Sequence, residues 1–304
     1  MFSRPMAIRL LAPICLFHFA AITTWSLAAE TLPTTAKTSN VAAIKWQSDY
    51  HAALDLAEAN QQMVLVWFYD PINPRENQKF VDEVIGQQQN AELIAERYVP
   101  LRLVVSEKVS SAGTDVLLLD HPAFAEMRHE PGLAVIDLSD SDSPLHRQVV
   151  SVYPFSHGFL TAENLAVLLQ LPRATLTQRT LIYAVRTHPE FPASTRGHVS
   201  RVLMRETEKH AQHQASIALQ GHHNWDQRFH SINAELPGSL LAREVCAESW
   251  PGQPLVEAAE ECVHSWRQSS GHWDAVRSAH LLFGYDMKRG SNGIWYAAGI
   301  FAGR

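Results

Sequence analysis

The sequence predicts an α/β protein, because helical and strand patterns alternate along the chain. Residues 50–60 carry apolar side chains at helical spacing, and the β-branched and aromatic run at 63–70 is typical of a buried strand. A polar helix is predicted over 78–98, and further strands are predicted over 99–105 and 132–140. Such an alternation is the pattern of layered α/β folds.

The pattern changes in the middle of the chain, and this change predicts a second domain. Residues 158–176 read as a last packing helix and a connector that ends near Pro172. Beyond them, a helix stopped by prolines is predicted in 178–194, and a long helix is predicted in 197–220. The chain is also longer than one ordinary core organises, which favours two domains.

The first 28 residues predict a secretory signal peptide. Arg4 and Arg9 precede an apolar run, and Ser26 and Ala28 place small residues where signal peptidase reads the chain. A retained membrane anchor is the alternative, although the apolar run is short for a full span. Residues 29–44 read as a linker. We therefore expect an exported protein, periplasmic or secreted, without a membrane span in the mature chain.

Composition narrows the classes of partner. The 304 residues are 46% hydrophobic and carry a net charge of −6 without a basic run, which argues against nucleic acid as the main partner. Ten of the sixteen histidines lie from His188 onward, and such clusters favour a metal hypothesis. If the signal is removed, Cys246 and Cys262 form the one possible disulfide, and two buried free thiols are the alternative.

The first half resembles a known superfamily. The signature positions before the first strand are Trp46, Tyr50, Ala53 with Leu54, and Ala57. With the order of elements, they make residues 45–157 similar to the thioredoxin-like superfamily. Asn73 and Glu76 stand at the positions of its CxxC motif and cannot exchange disulfides, whereas Pro131 matches its cis-proline position. The resemblance implies a redox-inactive binding module and not a disulfide oxidoreductase.

The second half carries four landmarks in a fixed order. They are HAQHQASIALQGHH (210–223), REVCAESW (243–250), SWRQSSGHW (265–273) and FGYDMKRGSNGIWYAAGIFA (283–302). Together they resemble the bacterial branch of the CAP superfamily of cysteine-rich secretory, antigen 5 and pathogenesis-related proteins, also called the SCP domain. The resemblance covers residues 177 to about 302 and implies an α-β-α sandwich domain over 177–304.

The same resemblance implies a set of site residues. His272 supplies one imidazole and Glu244 the carboxylate, while the second imidazole is open between His222 and His223, with His223 preferred. Two imidazoles and a carboxylate suit zinc with one position left open. Zinc acidifies a water molecule, and Glu244 is the candidate catalytic base that accepts its proton.

These expectations combine into a functional hypothesis with two alternatives. The hypothesis is an exported cell-envelope or secreted CAP-domain protein whose cleft holds zinc and engages a small-molecule or cell-envelope ligand. The first alternative is a zinc-assisted hydrolase acting on a peptide or cell-wall substrate, which needs a complete acid and base set. The second alternative is a lipid- or sterol-binding protein, which needs an apolar groove.

Overall fold

Two four-stranded sheets organise the chain, one in each half. The computed structural model describes residues 44–111 and 113–303. The strands are β1 (Met63–Tyr69), β2 (Tyr98–Val104), β3 (Lys108–Ser111), β4 (Thr114–Leu117), β5 (Gly132–Asp137), β6 (Gln148–Pro154), β7 (His198–Val199), β8 (Leu241–Glu248), β9 (Leu282–Arg289) and β10 (Trp295–Gly303). The helices are α1 (Tyr50–Asn60), α2 (Pro74–Phe80), α3 (Gln88–Arg97), α4 (Ala162–Leu169), α5 (Leu176–Thr187), α6 (Arg201–Ile217), α7 (Trp225–Glu235), α8 (Leu255–Gln268) and α9 (Ser270–Arg277). The predicted α/β class is confirmed at this level.

The predicted signal peptide, 1–28, lies outside the described residues, as does all but the last residue of the predicted linker, 29–44. Both remain expectations from the sequence. Among the described helices, none combines the length and the apolar character that crossing a bilayer requires.

The first sheet has the strand order β2-β1-β5-β6. Strand β1 pairs in parallel with β2 and antiparallel with β5, which in turn pairs antiparallel with β6. Residues 64–68 of β1 are completely buried, because the strand is central and covered on both faces. A strand in that position reads as a continuous apolar run, and the sequence predicts it for this reason.

The predicted helix over 78–98 is interrupted, which corrects the sequence expectation. Helix α2 passes into a π-helical segment, Val81–Ile85, and α3 begins two residues after Gly86. The amide of Gly86 donates to the carbonyl of Val81 over 2.7 Å. A Cβ atom at Gly86 would lie 2.8 Å from that carbonyl oxygen, so the turn accepts glycine and little else.

The second sheet has the strand order β7-β9-β10-β8. The central strand β10 pairs antiparallel with both β8 and β9, and the short β7 pairs in parallel with β9. Helix α6 packs on β9 and β10, and α8 packs on β8 and β10. This arrangement brings the end of α6, the middle of β8 and the start of α9 close together, and the candidate site lies there.

The two sheets share one hydrophobic core, and a buried arginine of α5 binds the first sheet and the connector that follows α4. Helix α5 contacts both β6 and β9, so apolar residues of both halves are continuous. Arg179 of α5 is fully buried. Its guanidinium donates to the hydroxyl of Ser151 over 2.7 Å and to the carbonyls of Leu171 and Pro172 over 3.1 and 2.9 Å. The division into separate domains near 158–176 stays a prediction.

Candidate functional site

Strand β8 provides the base of the site. Side chains alternate along a strand, so Glu244 and Cys246 lie on the same face, opposite Ile300 and Ala298 of β10. The side chain of Glu244 is only 1% exposed. A carboxylate buried to this extent needs partners for its charge, and the elements packed beside β8 supply them.

The loop between α6 and α7 brings the histidines to that carboxylate. Helix α6 ends where Ala218 adopts a left-handed conformation, at φ 53°. Two groups of α6 then hold the backbone of Gly221: the amide of Gly221 donates to Gln214 Oε1 over 3.0 Å, and His210 Nε2 donates to the Gly221 carbonyl over 2.8 Å. The position of His222 is therefore fixed by the helix that precedes it.

Glu244 is paired on both of its oxygens. The guanidinium of Arg228 donates to Oε2 over 2.6 Å and to Oε1 over 2.7 Å, a bidentate pair. His222 Nδ1 lies 3.0 Å from Oε1. Because an ionised carboxylate only accepts, Nδ1 of His222 carries the proton and donates it. In the neutral ring, Nε2 of His222 then presents a lone pair.

That lone pair faces the second imidazole. His272 lies in the first turn of α9, and its Nε2 is 3.2 Å from Nε2 of His222. Two buried tryptophans, Trp266 and Trp273, hold the junction of α8 and α9, and the indole of Trp273 donates to Glu190 over 3.2 Å. The site therefore contains a directed series of contacts from Arg228 through Glu244 and His222 to His272.

The protonation states follow from burial and charge. Burial raises the pKa of the Glu244 carboxyl, but hydrogen bonds from His222 and Arg228 outweigh it, so the net pKa is lower than usual. Burial lowers the pKa of His272, and the neighbouring His222 lowers it further. Burial also lowers the pKa of His210 to about 4, against the opposing charge of Glu244. At neutral pH the Glu244 carboxylate is therefore ionised, and the His210 and His272 imidazoles are neutral.

The structure places His222, and not the preferred His223, beside Glu244 and His272. His222 contacts both Glu244 and His272, whereas His223 Nε2 donates to the carbonyl of Leu219 over 3.1 Å. Adjacent residues in a loop point their side chains in different directions, and spacing along the sequence does not reveal which of the two reaches the cleft.

The predicted disulfide is absent, and the alternative of two thiols describes the structure. Cys246 and Cys262 are both free and buried. Burial raises the pKa of each thiol. Cys246 Sγ lies 3.7 Å from His222 Nδ1, whereas Nε2 of the same ring faces His272. Cys262 belongs to the hydrophobic core.

Three potential ligands also converge around the carboxylate. His210, Glu244 and Cys246 each offer a ligand atom, and these atoms lie within 4.8 Å of one another. The group can hold a metal ion by distance. However, His210 Nε2 and both oxygens of Glu244 already have partners, and the Arg228 cation lies against the carboxylate. A metal ion there would displace the ion pair.

Sequence reasoning missed two members of the site, Arg228 and His210. Arg228 also donates to the carbonyl of His223 over 3.0 Å, so it holds both the loop and the carboxylate. His210 Nε2 lies 3.7 Å from Glu244 Oε1. A buried glutamate needs a cation as its partner, and Arg228 lies shortly after the two histidines in the chain. This combination is the sequence signal that could have identified Arg228.

The predicted CxxC positions of the first half lie beside a cavity of about 300 Å³. Asn73 and Glu76 line it with Asp70, Pro131 and Phe159. The side-chain amide of Asn73 donates to the Asp70 carboxylate over 2.9 Å. No thiol is present at these positions in the sequence, so the surface offers hydrogen bonds and apolar contacts without a nucleophilic sulfur.

No protein-family model matches the chain, and no curated protein sequence matches it.

Proposed function

We propose that the cleft formed by His222 and His272 binds a zinc-like divalent metal ion, and that the protein acts as a metal-dependent binding module. The 3.2 Å separation of the two Nε2 atoms carries this proposal. Two nitrogens bound to one tetrahedral zinc ion at about 2.0 Å lie about 3.3 Å apart. The separation of the two nitrogens therefore matches that of two ligands of one ion.

The partners of His222 support the same assignment. Metal-binding histidines usually donate their other ring N–H to a carboxylate or a carbonyl, which fixes the tautomer and strengthens the ligand. Glu244 accepts from Nδ1 of His222 in this way, and Arg228 fixes Glu244 in turn. Glu244 is thus assigned the role of orienting a ligand, in place of the direct ligand and catalytic base that the sequence suggests.

Binding is favoured over hydrolysis by the state of that carboxylate. A zinc ion supplies Lewis acidity, but hydrolysis also needs a base that is free to accept a proton. Both oxygens of Glu244 are occupied, and its pKa is below the usual range. A glutamate held in this way is a weak base, so the hydrolase alternative loses the residue on which it depended.

The proposal also includes the fold family of each half and the location of the protein. The parallel pair β1–β2, followed by antiparallel β5 and β6 with Pro131 just before β5, is the arrangement expected of a thioredoxin-like module. The long helix α6, the sheet β9-β10-β8 and His272 at the start of α9 support a CAP-type second half. We propose that this protein is exported and that its ligand is a small molecule or a component of the cell envelope.

Zinc binding by single-histidine variants tests the proposal. The purified chain is stripped with a chelator and titrated with zinc, together with His222→Ala, His272→Ala and the matched control His230→Ala, which removes an exposed histidine of α7. We expect one tight equivalent to disappear in the first two variants and to persist in the control. Full retention of that equivalent in His272→Ala would reject the cleft as the metal site.

A further inference from the structure

A second group of imidazoles lies beside the cleft, and none of them is a metal ligand in the proposed function. His210 and His213 lie one turn apart on α6, and His223 reaches them from the loop. The ring centroids are 6.4 Å apart for His210 and His213, 6.1 Å for His210 and His223, and 5.4 Å for His213 and His223. Three mutually adjacent imidazoles without an acidic member are a donor set typical of transition-metal ions.

In two of these rings, Nε2 is hydrogen-bonded to a backbone carbonyl. Nε2 of His210 donates to the Gly221 carbonyl over 2.8 Å, and Nε2 of His223 donates to the Leu219 carbonyl over 3.1 Å. Each neutral ring therefore keeps a lone pair on Nδ1. A backbone carbonyl on the opposite nitrogen is the usual outer partner of a metal-bound histidine.

Gly221, in the loop between α6 and α7, leaves space for the side chain of His223. Gly221 supplies the carbonyl that fixes His210, and a Cβ atom at Gly221 would come within 3.2 Å of Nε2 of His223. Glycine at this position thus leaves room for the imidazole next to α6. Gly221 therefore positions two members of the group, because it accepts a hydrogen bond from His210 and leaves space for the ring of His223.

Access and local charge suit a cation. The three histidines line a cavity of about 420 Å³, and His213 is exposed. The cations at the cavity are neutralised, since Lys209 pairs with Glu206 over 2.8 Å and Arg228 pairs with Glu244. Glu206 and Glu235 line the same cavity, so no uncompensated positive charge opposes an incoming metal ion.

We infer that His210, His213 and His223 form a second transition-metal site, distinct from the His222 and His272 cleft. Imidazole rings bound to one tetrahedral ion have centroids about 5 Å apart. His213 and His223 are close to that distance, whereas the His210 ring lies 6.4 and 6.1 Å from them, so a shared ion requires side-chain rotation that brings the nitrogens together. His213 can rotate because it is exposed, while His210 stays fixed by Gly221.

Zinc stoichiometry in paired variants tests this inference. One variant combines His213→Ala with His223→Ala, a second combines His222→Ala with His272→Ala, and a control combines His230→Ala with His264→Ala. All four full-length proteins, parent included, are titrated with zinc and with nickel, and thermal unfolding shows that each is folded. If the variant with both His213→Ala and His223→Ala is destabilised, the single variant His213→Ala replaces it, because His213 is exposed.

We expect two equivalents in the parent and the control, and one in each of the other pairs. If the first pair binds as many equivalents as the parent, the second site does not exist. If the parent binds one equivalent that only the first pair loses, this inference holds and the proposed cleft fails. One equivalent that only the second pair loses overturns this inference and leaves the cleft intact.

Discussion

Arg179 and Glu244 are both buried charges with several hydrogen bonds, yet their partners differ in exposure. The partners of Arg179 are backbone carbonyls and the hydroxyl of Ser151, all inside the protein. Those of Glu244 include His222, whose side chain is 41% exposed. Burial of a charge therefore does not by itself mark a functional site. Glu244 differs from Arg179 because its partner His222 is accessible and presents a lone pair on Nε2.

The largest expected effect is on stability, from Arg179→Met. The change leaves Ser151 and the carbonyls of Leu168, Leu171 and Pro172 without their donor, and we expect the free energy of unfolding to fall by about 3 kcal/mol. Urea denaturation measures this loss. Zinc stoichiometry of the folded variant should equal that of the parent, and a loss of zinc would show that the two buried charges are not separate in function.

The strands and helices that carry Arg179 and Glu244 were largely predictable from the sequence, but the side-chain contacts of the two residues were not. Residues 64–68 identify β1 because burial on both faces demands an apolar run, and the long helix α6 follows from its periodic apolar face. The break at Gly86 was missed because a local backbone contact decided it. The choice of His222 over His223 and the role of Arg228 were missed because both depend on how a loop and a helix pack against β8.

The next effect is on metal affinity, from Glu244→Gln. The substitution removes the negative charge that orients His222, and loss of such an outer partner typically costs 10–100-fold in metal affinity, so we expect about a tenfold loss of zinc affinity. Competition with a chromophoric chelator measures it. The control is Glu248→Gln, an exposed position later in the same strand, which should bind zinc like the parent. Equal affinity in Glu244→Gln would contradict the orienting role.

A smaller effect is the dependence of stability on pH through His210. Its pKa is lowered by burial to about 4 in the folded protein, while an unfolded histidine titrates near 6.5. Between these values the unfolded chain binds the proton, so the free energy of unfolding falls as pH falls from about 6.5 to 4. In chelator-treated protein, His210→Gln should make this dependence shallower. An unchanged slope would mean that His210 does not stay neutral in the folded state.

The smallest expected effect concerns the first half of the chain. Asn73 and Glu76 cannot form a mixed disulfide, and burial raises the pKa of both described thiols, Cys246 and Cys262. We therefore expect no turnover above buffer in an insulin-reduction assay. Reduction at the rate of an active thioredoxin would show that this half retains redox chemistry.

Anomalous scattering at the zinc edge, from crystals grown with zinc, tests whether His222 and His272 share a metal ion. We expect a peak about 2.0 Å from Nε2 of both His222 and His272, with the carboxylate of Glu244 still paired to Arg228 and accepting from His222 Nδ1. No peak between the two imidazoles, or an ion bound directly by Glu244 with Arg228 displaced, would contradict it.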